Sequence, residues 1–376
     1  MQLKIFDLDF NFLGICEEIN DIEWIREFYR GGSFVLNAKM NEHNVGLLQK
    51  NRVIIKNNAW DEPMIIEHRQ LIESDDGDEE LMISGKSLAT RILDSRITIK
   101  RQIEKDTADK VLENLLLKQT NLSEDTNRHI PNLVIDTSIK EDFTNKIEHS
   151  SLYKSLYEDF EEICTVEECG YKLTFKPLEK EFYFEVYKGK DLTSSVLFSI
   201  DFDNLKNQTY IDSIDNYKNV AITCGQGEGE DRDMTIINDK EYSGLDRLEV
   251  YIDARDIEQD KEIIKDKEGY DTEFPIHNGE NAIKLLTNRG YEKLAEISPV
   301  NSFDASLVEN NYKYKEDFDL GDLVVVRNKN WNVEFNQRIT KIIESYDVYG
   351  RTITVNFGNE LPTIQEKLKQ RIKRGN

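Results

Sequence analysis

The sequence has few cysteines and histidines for its length, and this shortage narrows the possible functions. Its 376 residues include 4 cysteines and 5 histidines. No two cysteines form a Cys-x-x-Cys pair, and no histidine lies at ligand spacing from a cysteine, so we expect no zinc site. We expect the four thiols to be buried and reduced, at Cys16, Cys164, Cys169 and Cys224.

Basic residues are also scarce, because 49 lysines and arginines face 73 acidic residues and the net charge is −24. Binding to phosphate requires clustered lysine and arginine, so we expect no stable binding to nucleic acid. The exception is a basic C-terminal tail at 363–376, where Lys367, Lys369 and Arg371 are part of the run. Two interpretations of this tail stay open, an amphipathic helix and a loosely held terminus.

Long apolar runs are missing as well. No stretch approaches the roughly 20 apolar residues that span a bilayer. The start, MQLKIFDLDF, lacks the basic residues and long apolar core of a signal peptide. We therefore expect no membrane anchor and folding in a cytoplasm. Aromatic residues make up 10% of the chain, which favours a folded protein, and the length predicts about two to three domains.

Residues 1–98 have the pattern of closely spaced strands. Short β-branched or aromatic segments are separated by turn residues such as those at 30–32 and 75–78. Phe34, Leu36 and Ala38 alternate as one buried face. The strands are predicted at 3–6, 12–15, 34–40, 53–56, 64–72 and 81–84, with a helical turn at 44–49. This pattern predicts a small antiparallel barrel or sandwich.

The period changes in residues 99–190, which predict an inserted α/β domain. Asp106 can cap a helix whose apolar side chains recur at helical spacing, and a second helix is predicted from Ser151 onward. The apolar faces are Ala108, Val111, Leu112, Leu115 and Leu116 in the first helix and Leu152, Leu156, Phe160 and Ile163 in the second. Two alternating strands follow Gly170.

Alternation returns at 196–257, which we interpret as a β spine within 191–260. A helical segment follows at 261–300, where Asn278 can cap a helix over 279–297 whose inward residues include Tyr291. A second β region at 301–362 has strands at 323–326, 337–345 and 351–357. The whole pattern predicts an α+β protein in which two β regions flank the α/β insertion.

Motifs for catalysis, cofactors and metals fail on inspection. The Gly85-Lys86-Ser87 tripeptide lacks the first glycine of a phosphate loop, since Glu80 stands there. A partial calcium spacing has Phe12 at the turn position, and its acidic and amide residues are Asp7, Asp9, Asn11 and Glu18. The glycines of 225–229 are interleaved with carboxylates that would repel a pyrophosphate. We therefore predict no catalytic residue, no cofactor and no metal.

Five segments together resemble the ReqiPepy-type siphovirus tail protein family. They are YRGGSF at 29–34, LMISGKSL at 81–88, YKNV at 217–220, GQGEGEDR at 225–232 and DLGDLV at 319–324. The segments occur in the same order over nearly the whole chain. Proteins of this kind resemble the hub at the centre of phage baseplates and related injection machines.

The resemblance implies a baseplate-hub-like fold with two β-barrel-like tube domains, an inserted α/β domain and a further helix-containing region. It also implies a structural homotrimer whose ring joins the tail tube to the tail tip and lets DNA or cargo pass. Its partners would be a tail tube or distal tail protein, a tape-measure protein and a tail-tip or spike protein. Its place would be the virion tail or a prophage-derived tail particle, assembled in the host bacterial cytoplasm.

The resemblance further suggests a subunit-contact loop with an acidic surface. Its candidate residues are Gly225, Gly227, Gly229, Glu230, Asp231 and Arg232. A plain solvated hairpin is the alternative at this position. The net charge predicts an acidic bore that does not retain DNA. Some relatives continue into a lytic or receptor-binding region, which we expect on another protein or not at all, since this chain stops at Asn376.

Two rival functions stay open at this stage. The first is a cell-wall hydrolase at the tail tip, which requires a zinc, carboxylate or cysteine site. The second is a carbohydrate-binding receptor module that uses exposed aromatic residues such as Trp60 or Trp331. A zymogram would identify the hydrolase, and the mass in solution would separate a monomeric receptor module from a ring.

Overall fold

The computed structural model describes residues 1–73, 79–265 and 271–358. The predicted turn at 75–78 and the basic tail at 363–376 lie outside these residues. The described N-terminal region has seven strands and two helices: β1 (Leu3–Phe6), β2 (Phe12–Cys16), β3 (Ile19–Glu27), β4 (Ser33–Lys39), α1 (Glu42–Leu47), β5 (Val53–Lys56), β6 (Met64–Glu73), β7 (Glu79–Ser87) and α2 (Leu88–Asp94).

The elements of the middle region alternate between helix and strand. They are β8 (Gln102–Thr107), α3 (Ala108–Gln119), β9 (Leu133–Ile135), β10 (Lys146–Ser151), α4 (Leu156–Glu167), β11 (Gly170–Lys176) and β12 (Glu181–Tyr187). The remaining elements are mostly strands: β13 (Leu197–Ser199), β14 (Leu205–Ser213), β15 (Val220–Cys224), β16 (Met234–Ile237), β17 (Glu249–Asp253), β18 (Asp260–Lys265), β19 (Asp271–Ile276), α5 (Glu280–Glu296), β20 (Val300–Leu307), β21 (Leu323–Asn328), β22 (Val333–Asp347) and β23 (Gly350–Gly358).

One network of 13 hydrogen-bonded strands joins the first and last β regions within the described residues. Its main path runs β14-β20-β23-β22-β3-β4-β7-β6-β5-β1-β2, and β21 and β13 branch from β22. The join is the antiparallel pair β3–β22, in which Ile25 lies opposite Ile343. The first and last parts of the chain therefore share one sheet.

Strand β5 lies between two hydrophobic cores. Its side chains alternate, so that Ile54 packs with the strands of the first β region while Val53 and Ile55 pack with the helices and strands of residues 99–190. A third core fills the last β region around Phe198, Phe303 and Phe357. The predicted α/β segment thus shares its core with the strands that precede it. The domain boundaries given above stay predictions.

The periodicity located the helices but misplaced their starts. Thr107, not Asp106, precedes α3 at the cap position, and the second helix begins at Leu156 after a Ser155 cap. Ser151 and its neighbours belong to β10 and the bend that follows. In α5, Gly279 is the cap residue, while the side chain of Asn278 accepts a hydrogen bond from Met234 N at 2.9 Å. Tyr291 is exposed rather than inward.

The sequence prediction missed strands that the sheet needs. Central strand β3 was not predicted, because its inward positions include the charged Arg26 beside Ile22 and Trp24. The largely polar β14 and the short alternating β20 were also missed. The residues of 196–257 divide between sheets, since β13 pairs with β21 whereas β15 lies between β16 and β17. Residues 261–300 contain the β18–β19 hairpin as well as a helix.

A buried ion network lies where the two β regions meet. The carboxylate of Glu62 accepts a hydrogen bond from Trp24 Nε1 at 2.9 Å and lies 3.2 Å from Arg26 Nε. Lys56 Nζ is 3.6 Å from the same carboxylate and also binds Glu344 of β22. Lys315 reaches Glu62 from the last β region. Paired charges satisfy one another here, which allows their burial.

Two expectations from the sequence concern thiols and membrane segments. All four cysteines are free and buried, as expected. Burial raises the pKa of the Cys16 thiol to about 11, so this group stays protonated at neutral pH. Among the helices of the described ranges, none has both the length and the apolar character needed to cross a bilayer.

Candidate functional site

The candidate loop lies at the edge of a small sheet that packs on α5. Strand β15 at its centre pairs antiparallel with β16 and parallel with β17. Leu285 and Leu286 of α5 pack against Ala254 and Ile257, just after β17. At Gly290 a Cβ atom would lie 2.3 Å from Ile237 Cδ1, so glycine permits the close approach of α5 to β16. The loop therefore connects two strands of a sheet that is packed against a helix.

The loop 225–233 is fixed at both ends. Arg232 donates from Nε to the carbonyl of Gly225 at 2.6 Å and from a terminal nitrogen to the carbonyl of Cys224 at 3.0 Å. Its guanidinium also pairs with Asp253. The carboxylate of the buried Asp233 accepts a hydrogen bond from the backbone N–H of Asn278 at 2.5 Å. Gly227 and Gly229 have φ values of +113° and +57°, a region that favours glycine.

The structure brings the six candidate residues into one turn but gives them different surroundings. Gly225 is buried, whereas Gly229, Glu230 and Asp231 are exposed. Arg232 pairs within its own chain, and so do two arginines near it in the sequence: Arg247 Nε lies 2.6 Å from Glu249, and Arg255 Nε lies 3.5 Å from Asp253. The exposed charge that a neighbouring subunit would meet is therefore acidic. The subunit-contact role stays a prediction.

A projecting hairpin next to the loop was missed by the sequence prediction. Strands β18 and β19 pair only with each other among the described residues, and nearly all of their side chains are exposed. Gln259, at the hairpin base, donates to the carbonyl of Asp231 at 3.0 Å. His277, at its other end, lies 3.1 Å from the same carbonyl oxygen. The loop and the hairpin therefore form one continuous surface.

A cleft of about 770 Å³ opens along the second half of α5. Its walls come from α4, α5, β10 and the ends of the small sheet, and its floor is apolar: Ile147, Ile163, Val166, Ile237, Leu294 and Ala295. Five lysines lie around it: Lys105, Lys146, Lys218, Lys240 and Lys284. Among the described residues, Lys218 and Lys240 have no carboxylate at ion-pair distance. The cleft thus combines an apolar floor with two unpaired lysines.

Four carboxyl groups also line the cleft, and they differ in their partners. Glu148 lies 3.2 Å from Lys105 Nζ, and Asp239 accepts from the Tyr291 hydroxyl at 3.0 Å. Burial raises the pKa of Glu167 above its ordinary value. The side chain of Glu292 points inward, and its Oε1 lies 2.9 Å from His149 Nδ1. A neutral hydroxyl cancels no charge, so the cleft is lined by charged groups of both signs.

A buried cluster of charged residues lies next to the cleft and shares Glu292 with it. His149 places its two ring nitrogens 2.9 Å from Asp159 Oδ1 and 2.9 Å from Glu292 Oε1. Both nitrogens can donate only when the imidazole is protonated. His149, Asp159 and Glu162 hold one potential ligand atom each within 4.8 Å. Lys154 binds Glu162, and Lys293 Nζ lies 3.2 Å from Glu162, so ammonium groups already neutralise these oxygens.

The pH dependence of stability should reveal the protonated His149. Burial alone would lower its pKa, but Glu292 and Asp159 outweigh burial and raise the pKa from 6.5 to about 9. A raised pKa stabilises the folded state fully below the unfolded value of 6.5, and this contribution is lost as the pH rises through about 9. Urea unfolding should show a loss on the order of 3 kcal/mol between pH 6 and pH 10.

His149→Gln serves as the comparison, because it removes the titrating group and leaves all other groups that titrate in this range. The variant should be less stable than the wild type at pH 6, and the difference should shrink toward pH 10. An equal difference at both pH values would mean that His149 is neutral in the folded protein.

The rejected motifs have ordinary structural roles. Ser87 caps α2 by accepting a hydrogen bond from Thr90 N at 3.0 Å, and Lys86 Nζ lies 2.6 Å from Asp94. The Asp7 carboxylate accepts a hydrogen bond from the backbone N–H of Asn11 at 2.8 Å and closes a turn between β1 and β2. Glu18 pairs with Lys39 at 3.0 Å. Lys86, Ser87, Asp7 and Glu18 therefore each have a partner within the chain.

The chain was compared with known proteins in three ways, and two of them found similar proteins. The sequence model of the family described as Siphovirus ReqiPepy6 Gp37-like protein matches residues 2–359. A comparison with curated proteins gave no sequence match. The fold is similar to that of the 43 kDa tail protein of prophage MuSo2 from Shewanella oneidensis, with a TM-score of 0.54 and 12% identity over 95% of this chain and 98% of the other.

Two further solved structures have a similar fold. A tail protein from Neisseria meningitidis MC58 gives a TM-score of 0.55 at 11% identity and covers 96% of each chain. Prophage tail protein gp18 from Listeria monocytogenes EGD-e gives 0.53 at 11% identity and covers 99% of each chain. At these identities the similarity establishes a common fold that extends over nearly the full length of each protein.

Proposed function

Because this chain belongs to the Siphovirus ReqiPepy6 Gp37-like protein family, we propose that it is a structural hub of a phage tail that assembles as a closed trimeric ring. The observation that carries the proposal is the combination of a family match over residues 2–359 with a fold similar to prophage tail proteins along their whole length. A heterologous contact that closes after three copies produces such a ring.

In this proposal the ring joins the tail tube to the tail tip and leaves a bore for DNA or cargo. Two β-barrel-like tube domains per subunit would line it, one from the first β region and one from the last. The shared β3–β22 pairing supports this arrangement, since it holds the two regions in a fixed relation. The bore would not retain DNA, because the chain carries a net charge of −24.

The proposed partners follow from the ring. A tail tube or distal tail protein would dock on one side, a spike or tip protein on the other, and a tape-measure protein would occupy the bore during assembly. The protein acts by assembly rather than by catalysis, in the virion tail or in a prophage-derived particle formed in the bacterial cytoplasm.

Mass and symmetry test the proposal directly. Light scattering on the purified full chain should give three times the chain mass of 43.9 kDa at micromolar concentration. Negative-stain images of the same fraction should show three-fold rings. A stable monomer at all concentrations would contradict the hub.

The exposed part of the loop can be tested in the same assay. We propose that Glu230 faces a neighbouring subunit, so Glu230→Lys should raise the protein concentration needed for trimers by about tenfold. Arg232→Ala is a poorer test, because Arg232 holds the loop of its own chain. Glu17→Lys, an equal charge reversal at an exposed position, should leave assembly unchanged. Equal behaviour of the two variants would favour a solvated loop.

A further inference from the structure

Two of the four free cysteines meet where α4 ends. Glu168 adopts a left-handed conformation, with φ and ψ both 49°, and stops the helix. The backbone N–H of Cys169 then donates to the carbonyl oxygen of Cys164 at 3.1 Å. In a helix ending of this kind, the side chains of the two bonded residues commonly pack against each other. Both cysteines are fully buried, and both belong to the same hydrophobic core.

The two thiols are in direct contact. Burial and a hydrogen bond with the Cys169 thiol raise the pKa of Cys164 well above its ordinary value. A disulfide joins residues whose Cα atoms are about 4.4–6.8 Å apart, and a backbone hydrogen bond between two residues holds them at such a separation. Cys16 lies in a different core and Cys224 on β15, so Cys164 and Cys169 are the pair that this chain brings together.

We propose that Cys164 and Cys169 form an oxidation site, which closes an intrachain disulfide in the folded protein when it meets a peroxide. The bond does not depend on the tail function proposed above. A peroxide is small enough to enter the core when the end of a helix opens locally. Cytosolic reductants keep thiols reduced, so the bond would accumulate outside a cell.

The reaction consumes one molecule of hydrogen peroxide. The thiolate of one cysteine attacks a peroxide oxygen, which breaks the O–O bond, releases hydroxide and leaves a sulfenic acid. The thiolate of the second cysteine then attacks this sulfur and displaces a second hydroxide. The two hydroxides take up the two thiol protons. Two thiols are thus oxidised to one disulfide, and the peroxide is reduced to two water molecules.

The disulfide would brace a junction between α4, β11 and β22. Glu168 lies between the two cysteines in the chain, and its carboxylate pairs with Arg338 of β22 at 2.8 Å. Gly170 directly follows Cys169 and lies against the Phe28 ring. A disulfide restricts the unfolded chain and thereby stabilises the folded one. The oxidised protein should therefore unfold less readily than the reduced protein.

Peptide mapping tests the site. The reduced full chain is treated with hydrogen peroxide, unfolded in the presence of an alkylating reagent and digested with trypsin. Cleavage after Lys154 and Lys172 leaves both cysteines on one peptide, 155–172. We expect this peptide to escape alkylation and to be about 2 Da lighter than its dithiol form, since two hydrogens are lost. The peptides with Cys16 and Cys224 should be alkylated.

Two results of the mapping would overturn the proposal. The first is equal alkylation of all four cysteines after the peroxide treatment. The second is a gain of oxygen mass on peptide 155–172, because sulfinic and sulfonic acids form where no second thiol is within reach.

Urea unfolding provides a second measurement. Peroxide treatment should raise the unfolding midpoint of the wild type by roughly 0.5 M. Cys169→Ala should show no such rise, because it removes one member of the pair. Cys16→Ala is the matched control, since it removes a buried thiol from a different core and should retain the rise. An unchanged midpoint in the wild type, or an equal rise in Cys169→Ala, would contradict the brace.

Discussion

Glu62→Gln is expected to destabilise the folded chain by about 3–5 kcal/mol, because it removes the buried carboxylate that three cations share. The carboxylate of Glu62 is 2% exposed and lies against Arg26, Lys56 and Lys315. A neutral amide of the same size would keep the packing but not the ion pairing. Urea unfolding of the purified variant at pH 7 measures the loss.

Glu17→Gln is the matched control, since Glu17 makes the same atomic change at an exposed position. It should shift the unfolding midpoint very little. A shift for Glu62→Gln no larger than that of this control would show that the network does not hold the two β regions together.

Acid provides an independent check on the same carboxylate. Burial alone would raise the pKa of Glu62, but Arg26, Lys56 and Lys315 outweigh burial and lower it to about 2. A lowered pKa stabilises the fold above the unfolded value of 4.5, and the contribution is lost as the pH falls toward 2. The stability difference between wild type and Glu62→Gln should therefore narrow below pH 4.

Phe28→Ala is expected to cost about 3–5 kcal/mol, because three parts of the chain pack on this ring. Its centroid lies 5.4 Å from that of Tyr187, and the Arg338 guanidinium lies 5.5 Å from its centre. A Cβ at Gly321 would come within 2.3 Å of the ring, and one at Gly170 within 2.5 Å, so both glycines allow the backbone to approach it.

Hydrogen exchange should locate this effect as well as measure it. Loss of the Phe28 ring should increase exchange in β11 and at the start of β21, which both lie beside it. Phe12→Ala is the matched control, since Phe12 is 55% exposed. If the exchange of β11 and β21 increased no more than that of the other strands in either variant, the Phe28 ring would not hold these segments together.

The sequence predicted elements well where one face of a strand or helix is apolar and the other polar. Strands β1 and β5 match their predicted bounds, α5 was located within one residue at each end, and the apolar residues predicted for the first helix all lie in α3. Family membership was also recognised, through the resemblance of five segments along this one chain. Local periodicity carries enough information for the strands and helices, whereas the family was recognised by the resemblance of the segments themselves.

Features that depend on distant partners could not be predicted. Arg26 points inward because Asp319 and Tyr314, almost 300 residues later, bind its guanidinium. A single sequence gives no sign of that pairing. The hairpin was missed for a related reason, since Ile263 and Ile264 are adjacent and break the alternation. The cleft arises from α4, α5 and β10, which no local pattern brings together.

The β3–β22 pair also determines when the protein can fold during synthesis. Strand β3 ends at Glu27, and its partner begins at Val333. At about 5–20 residues per second, a ribosome needs roughly 15–60 s to make the intervening chain. Until then one edge of β3 has no native partner, and long-range pairings of this kind form slowly. A chain released early by the ribosome would lack its central strand pair, so the sheet that joins the first and last β regions would not form in it.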